Sequence, residues 1–212
     1  MTSQHSSKTR LLEAAVKVVR TKGYNATRVE DICAEAGVTK GSFFHHFKSK
    51  EDLGLGAVAH WNAFTSDLFA RAPYHEADDP LDRVLGYIAY RKELLEGDVP
   101  EFTCLLGTMV QEIHDTDPSL RESCARGLDG HVATVEQDIA EAVAQYGLEP
   151  DWTAESLSVL IQSVLQGSFI FAKSGKGAGV VTDNLDHLHR YVSLLFGRPA
   201  RAPSASARAH SQ

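Results

Sequence analysis

Apolar residues in this chain recur at three- and four-residue intervals, and no stretch of any length alternates with the two-residue period of a strand. That pattern confines the chain to an all-α fold, and counting the apolar stripes predicts about nine helices. Leu12, Ala15, Val16 and Val19 form the first stripe, and Gly23 offers its stop. Thr27-x-x-Glu30 reads as a capping box for a short second helix, which Gly37 ends. Thr39 is placed to cap a third helix. Ser49-x-x-Asp52 opens a fourth, with Leu53, Ala57, Trp61, Phe64 and Leu68 on one stripe.

Beyond a polar link, Asp79-Pro80 and Asp117-Pro118 each read as an N-cap followed by an N1 proline. Phe102, Leu105, Leu106, Met109, Val110 and Ile113 form a stripe between those two starts, with Cys104 near its polar edge. The helix after Asp117 runs toward Tyr146 and stops at Gly147. A helix expected to start at Asp151 carries apolar residues on two sides, from Leu157 to Phe171, and so needs two partners. Ser174 to Gly179 reads as a flexible interhelical loop, since it lacks the Gly-x-x-x-x-Gly-Lys-Ser/Thr spacing of a phosphate loop. Leu185, Leu188, Val192 and Leu195 mark the last helix. The Ala/Pro/Ser/Arg tail from Arg198 has nothing to pack and is expected to be disordered.

The short second and third helices, joined by Gly37-Val38-Thr39, have helix-turn-helix grammar. Small residues Ala34 and Ala36 let two helices approach, and Ile32 and Val38 supply core. The third helix then offers Thr39, Lys40, Ser42 and His46 to phosphates or base edges, with Gly41 permitting close approach. Lys48 and Lys50 follow at the start of the fourth helix, where free backbone amides also favour a phosphate. His45 either packs or touches DNA, while Phe43 and Phe47 read as core.

Charge bears on this because the whole chain carries −7. The imbalance is uneven: residues 1–56 sum to +3 and residues 57–197 to −13. A basic face can bind DNA while an acidic body points away.

Gly37 to Leu53 (GVTKGSFFHHFKSKEDL) resembles the DNA-binding signature of the TetR/AcrR regulators, and Ala14 to Ala36 is similar to the first two helices of the same domain. The likeness covers roughly residues 8–55. It implies a ligand-responsive transcriptional regulator, a repressor released from a palindromic double-stranded DNA operator by a small-molecule effector. It also implies a homodimer built on the last two helices. DNA contact then falls to Thr27, Thr39, Lys40, Gly41, Ser42, Phe44, His45, His46 and Lys50. Phe44 departs from the family, which usually has a phosphate-binding Tyr there; without the hydroxyl it is expected to serve mainly as core. The division expected is 1–55 for DNA binding, 56–197 for regulation and dimerisation, and 198–212 as tail.

Effector contact is expected from Trp61, Phe64, Tyr87, Tyr90, Cys104, Thr108, Met109, His131 and Phe169, each with plain packing as the alternative. Aromatic and aliphatic walls with few polar groups suit a small, largely apolar ligand. Cys104 is either a buried structural cysteine or a redox or electrophile sensor. Leu188 and Leu195 are the positions where Asp is expected to separate the subunits.

Other classes fare worse. Paired Glu-x-x-His helices, Gly-x-Ser-x-Gly and a zinc ligand set are missing, so neither enzyme, metal nor cofactor is expected. An all-helical enzyme or a carrier of a small apolar ligand is the rival reading. His187 and His189 lie on different helix faces and share no metal. Cys33, Cys104 and Cys124 are too scattered for a disulfide framework. No run of about 18 apolar residues spans a membrane, and Met1 to Lys8 is polar, so the expected location is the cytoplasm.

Overall fold

The computed structural model describes residues 6–198. Among them every regular element is helical: α1 (Ser7–Lys22), α2 (Val29–Ala36), α3 (Lys40–His46), α4 (Lys50–Ala70), α5 (Pro80–Glu93), α6 (Val99–Phe102), α7 (Leu105–Ile113), α8 (Pro118–Gln145), α9 (Ala154–Phe171) and α10 (Gly177–Leu195). With α6 a single turn, nine helices exceed it in length, as the stripes predicted.

Most starts are fixed by side chains that satisfy free backbone amides. Thr39 Oγ1 accepts from Ser42 N–H at 3.2 Å, Ser49 Oγ from Asp52 N–H at 3.2 Å, Asp79 Oδ1 from Leu81 N–H at 2.9 Å and Asp117 Oδ1 from Leu120 N–H at 3.0 Å. Two expected starts move. Helix α2 is capped one residue later, with Asp31 Oδ2 accepting the Arg28 N–H at 2.7 Å, because the Thr27 hydroxyl is donated backwards to the Gly23 carbonyl at 2.6 Å. Helix α9 is capped by Thr153, whose hydroxyl accepts from Ser156 N–H at 3.0 Å, rather than by Asp151.

The stripe from Phe102 to Ile113 is also not one helix. Thr103 and Cys104 are extended between α6 and α7, and Cys104 is the N-cap of α7. The expected loop at 174–179 is instead a widened helical turn over Ala172–Lys176, kinked at Gly175 (φ +104°), after which α10 starts at Gly177. Arg198, expected to begin a disordered tail, forms ion pairs with Asp79 and Asp82 and joins the end of α10 to the start of α5. Residues 199–212 of the predicted tail lie outside the described residues.

Two cores hold these helices. The larger contains Leu81, Val84, Ile88, Val135, Ile139, Ile161, Leu165, Leu185, Leu188 and Val192, from α5, α8, α9 and α10. The other combines Leu11, Val19, Ile32, Phe43, Leu53 and Val58 of α1–α4 with Leu105, Leu106, Met109, Ile113, Leu120 and Cys124 of α7 and α8. The N-terminal helices therefore complete their core with residues of α7 and α8, far downstream in the chain. Each such side chain withdrawn from water contributes about 1.5–3 kcal/mol before entropy is counted. Glu112 of α7 reinforces the join, accepting the Asn25 N–H at 2.7 Å. Gly23, at φ +88°, packs so closely that a Cβ there would meet the Glu112 carboxylate.

The outer sides of α9 and α10 remain apolar. Leu160, Ile170 and Phe171 on α9, and Tyr191 and Leu194 on α10, are exposed. Leu188 is 4% exposed and faces the chain's own core, and Leu195 packs partly against it. Of the two positions expected to separate the subunits, Leu188 is therefore a core position and Leu195 borders the core, and the outward stripe is shifted from them.

Candidate nucleic-acid interface and effector cavity

The turn from α2 to α3 depends on Gly37, whose φ of +62° carries the left-handed conformation and lets its N–H close on the carbonyls of Ala34 and Cys33. Helix α3 then leaves Thr39, Lys40, Gly41, Phe44 and His45 exposed and turns Phe43 and Phe47, four residues apart, inward. Phe44 is 59% exposed. The expectation that it serves as core is therefore wrong: the buried face of α3 runs through Phe43 and on to Phe47, and Phe44 points away from it. Its ring meets the Phe43 edge at 5.1 Å and presents an apolar surface outward.

Other expected DNA contacts differ in availability. Thr27 is 2% exposed with its hydroxyl spent on Gly23, so it stabilises the link between α1 and α2 and offers no hydroxyl to DNA. Ser42 is half-buried. His46 is half-buried and its Nε2 shares a hydrogen bond with Ser7 Oγ at 2.6 Å. Lys40 is paired with Glu30, and this exposed pair holds the Glu30 carboxyl below its ordinary range. Lys50 lies at the first turn of α4, 4.4 Å above the Tyr24 ring, and donates to the Asn25 carbonyl at 3.4 Å. Partial burial lowers its pKa.

A cavity of about 180 Å³ lies between α4, α5, the α6–α7 junction, α8 and α9. Leu68, Phe69, Phe102, Leu165 and Phe169 give it apolar walls; Arg91, Thr103, His131, Gln162 and Gln166 give it polar ones. Trp61, Phe64 and Glu101 also border an outer cleft of about 950 Å³ that reaches α1.

Of the residues expected from sequence, Trp61, Phe64, Cys104, His131 and Phe169 line this cavity. Tyr87 stands behind its wall, fully buried. Tyr90 packs edge-on to Phe69, Thr108 accepts from Lys173 Nζ at 2.7 Å, and Met109 belongs to the N-terminal core; none of the three lines the cavity. Thr108 and Met109 miss it because α7 packs toward α1 and α4, which turns its buried side away.

Sequence reasoning missed Arg91, Thr103, Gln162 and Gln166. Arg91 had a signal: it falls on the stripe Leu81, Val84, Ile88, where a charge is out of place. Gln162 similarly interrupts the apolar run of α9.

Burial first, and the nearby Arg91 charge second, push His131 down from 6.5 to about 4, so it is neutral at pH 7. Arg20 of α1 stacks 4.8 Å over Trp61, and its buried Nε and Nη2 reach no acceptor. Burial lowers it to about 10, still charged at neutral pH. The Cys104 sulfur accepts from the Gly107 N–H at 3.5 Å, while burial pushes the Cys124 thiol up to about 12.

His131 also predicts a pH effect. Its folded pKa lies below its unfolded one, so the unfolded chain takes up a proton that the folded chain refuses. The stability is present above pH 6.5 and is lost as pH falls toward 4. Between pH 7 and pH 5 the wild type should lose about 2 kcal/mol more than His131→Phe in urea unfolding. Parallel losses for the two proteins would remove His131 as the cause.

Residues 11–55 match the bacterial regulatory proteins of the tetR family, and residues 80–180 match the tetracyclin repressor-like C-terminal domain. The HTH-type transcriptional regulator CymR of Pseudomonas putida is 32% identical over 158 residues, covering 73% of this chain and 74% of CymR. The HTH-type transcriptional repressor DhaR of Mycobacterium sp. (strain GP1) is 28% identical over 190 residues, 88% of each protein. A TetR-family regulator from Agrobacterium tumefaciens superposes with a TM-score of 0.78 at 19% identity, over 87% of this chain and 96% of that one.

Proposed function

This chain belongs to the TetR family of bacterial regulatory proteins, a ligand-responsive DNA-binding regulator rather than an enzyme, and we propose that it acts as a homodimeric repressor that leaves a palindromic operator when a small molecule fills the cavity. The observation that carries this reading is the connection between the two sites. Helix α7 begins at the cavity with Cys104 and continues as part of the core under α1–α4. A ligand that shifts the α6–α7 junction would tilt the helix-turn-helix of each subunit and change the separation of the two α3 helices.

We assign residues 1–55 to DNA binding and 56–197 to regulation and dimerisation, with the cytoplasm as the place of work. The exposed stripes of α9 and α10 support a two-fold interface there. Each α3 enters a major groove, half-sites lying about 34–36 Å apart or somewhat more. Thr39, Lys40, Gly41, Ser42, His45 and His46 lie at the groove, and Phe44 brings an apolar surface suited to a thymine methyl.

Selection of bound sequences from a random DNA library, followed by footprinting with and without small molecules, tests the reading. A non-palindromic footprint, or no selected sequence, would count against it. Lys50 supplies a finer test, since its ammonium is held beside the start of α4, where a phosphate would sit. Lys50→Ala should weaken binding about equally for all sequences and lower the magnitude of the salt slope by about one per subunit. An unchanged salt slope would remove Lys50 from the phosphate contacts.

A further inference from the structure

The inner cavity holds a cation with no counter-charge. Arg91 forms no ion pair among the described residues, although it projects from the last turn of α5 into the cavity. It is held firmly: its guanidinium lies 4.1 Å over the Phe69 ring and donates from Nε and Nη2 to the Tyr87 hydroxyl at 3.0 and 2.6 Å. Gln162 Nε2 donates to the same hydroxyl at 2.6 Å. Three donors thus converge on one neutral oxygen, and the remaining Arg91 N–H groups reach no acceptor within the described residues. Thr103 adds an independent sign. Thr103 borders the same cavity and is 1% exposed, and its buried hydroxyl has no partner. A buried polar group left unpaired costs about 1–3 kcal/mol in a closed fold, so such groups point to something they bind.

The one acid at the cavity is Glu101, and it does not answer Arg91. It sits exposed at the rim, with Oε2 accepting the Asp98 N–H at 2.7 Å. His131, which also borders the cavity, is neutral at pH 7.

We propose that the effector is a small organic monoanion, a carboxylate on a compact apolar body. Its carboxylate pairs with Arg91 and takes hydrogen bonds from Gln162 and Thr103. The body lies among Phe69, Phe102, Leu165 and Phe169. A guanidinium fork matches a carboxylate in two parallel hydrogen bonds, and one positive charge calls for one negative. Size sets the second limit. An apolar cavity of about 150 Å³ accommodates benzene, so the 180 Å³ here takes a body of about one ring. The apolar walls read from sequence thus describe the body of the ligand and not its head. This inference rests on the effector reading above, and the test separates the two.

Benzoate and its neutral isostere benzamide are the probes, titrated calorimetrically into the full-length protein without DNA. Benzoate should bind and benzamide should bind about tenfold or more weakly. Arg91→Gln should remove that preference while keeping operator binding, which shows that the variant is folded. Gln162→Leu, which leaves the cation in place, should weaken benzoate and keep its preference over benzamide. Equal binding of the two probes, or benzoate binding indifferent to both substitutions, would overturn the proposal. So would failure of benzoate, cyclohexanecarboxylate and isovalerate alike to bind. If benzamide binds as well as benzoate and releases DNA, the effector reading stands and anion selectivity falls. If benzoate binds through Arg91 but leaves DNA binding unchanged, the anion site stands and the effector reading falls.

Discussion

Asp introduced together at Ile170 and Leu194 should convert the protein to a folded monomer that has lost specific DNA binding. Both side chains are more than half exposed, so the chain's own core does not depend on them. Their apolar surface is needed only if a second subunit covers it. In a symmetric interface each substitution occurs twice, so the double variant places four carboxylates in a surface that must exclude water. Loss of the second half-site removes the effective-concentration advantage, and operator affinity should fall about a hundredfold or more. Light scattering after size-exclusion chromatography reads the mass, and a gel shift reads the affinity. Circular dichroism should remain that of the wild type. A stable dimer of the double variant would locate the interface elsewhere. Asp at Leu188 cannot make this distinction, because it would unfold the core first.

Phe43→Ala should have the next largest effect, this time on the helix-turn-helix. Phe43 is fully buried and is the main anchor of α3, with Phe47 at 5.9 Å between ring centres. Helix α3 has seven residues, too few to persist in water without packing. The substitution should cost about 3–5 kcal/mol, and lower the melting temperature by about 10 °C. Amide exchange should accelerate in α2 and α3 more than in α8–α10, and operator binding should disappear at temperatures where the effector still binds. A variant that melts and binds DNA like the wild type would show that Phe47 and Val38 hold α3 without it.

Much of this arrangement was legible in the sequence because its signals are local. An Asp-Pro pair or a Ser-x-x-Asp acts within one turn, and so α4, α5 and α8 begin where those residues say. Where the reading went astray, a more distant partner had decided the outcome. Thr27 looked like a cap until the Gly23 carbonyl offered its hydroxyl a better acceptor. The break at Thr103-Cys104 is invisible to periodicity, since Phe102 and Leu105 remain three apart on either side of it. Met109 is as apolar as any cavity wall, and only the direction in which α7 packs assigns it to the other core. Phe44 is aromatic like its neighbours, and only the direction in which α3 packs, with Phe43 and Phe47 inward, leaves it outside. Arg91 is the reverse case: a charged residue on an apolar stripe, absent from the expected effector contacts, stands in the cavity wall.

The core shared across the chain also bears on how such proteins are recombined. A chimaera joined at residue 55 would bring α1–α4 of one parent onto α7 and α8 of another. The seam would then run through Leu105, Leu106, Met109, Ile113, Leu120 and Cys124, where side chains from both parents must interlock. Altered operator specificity is therefore easier to install on the surface of α3 than by exchanging the whole head. In this molecule the portable unit is a helix face, and the domain named by chain order is not free to travel alone.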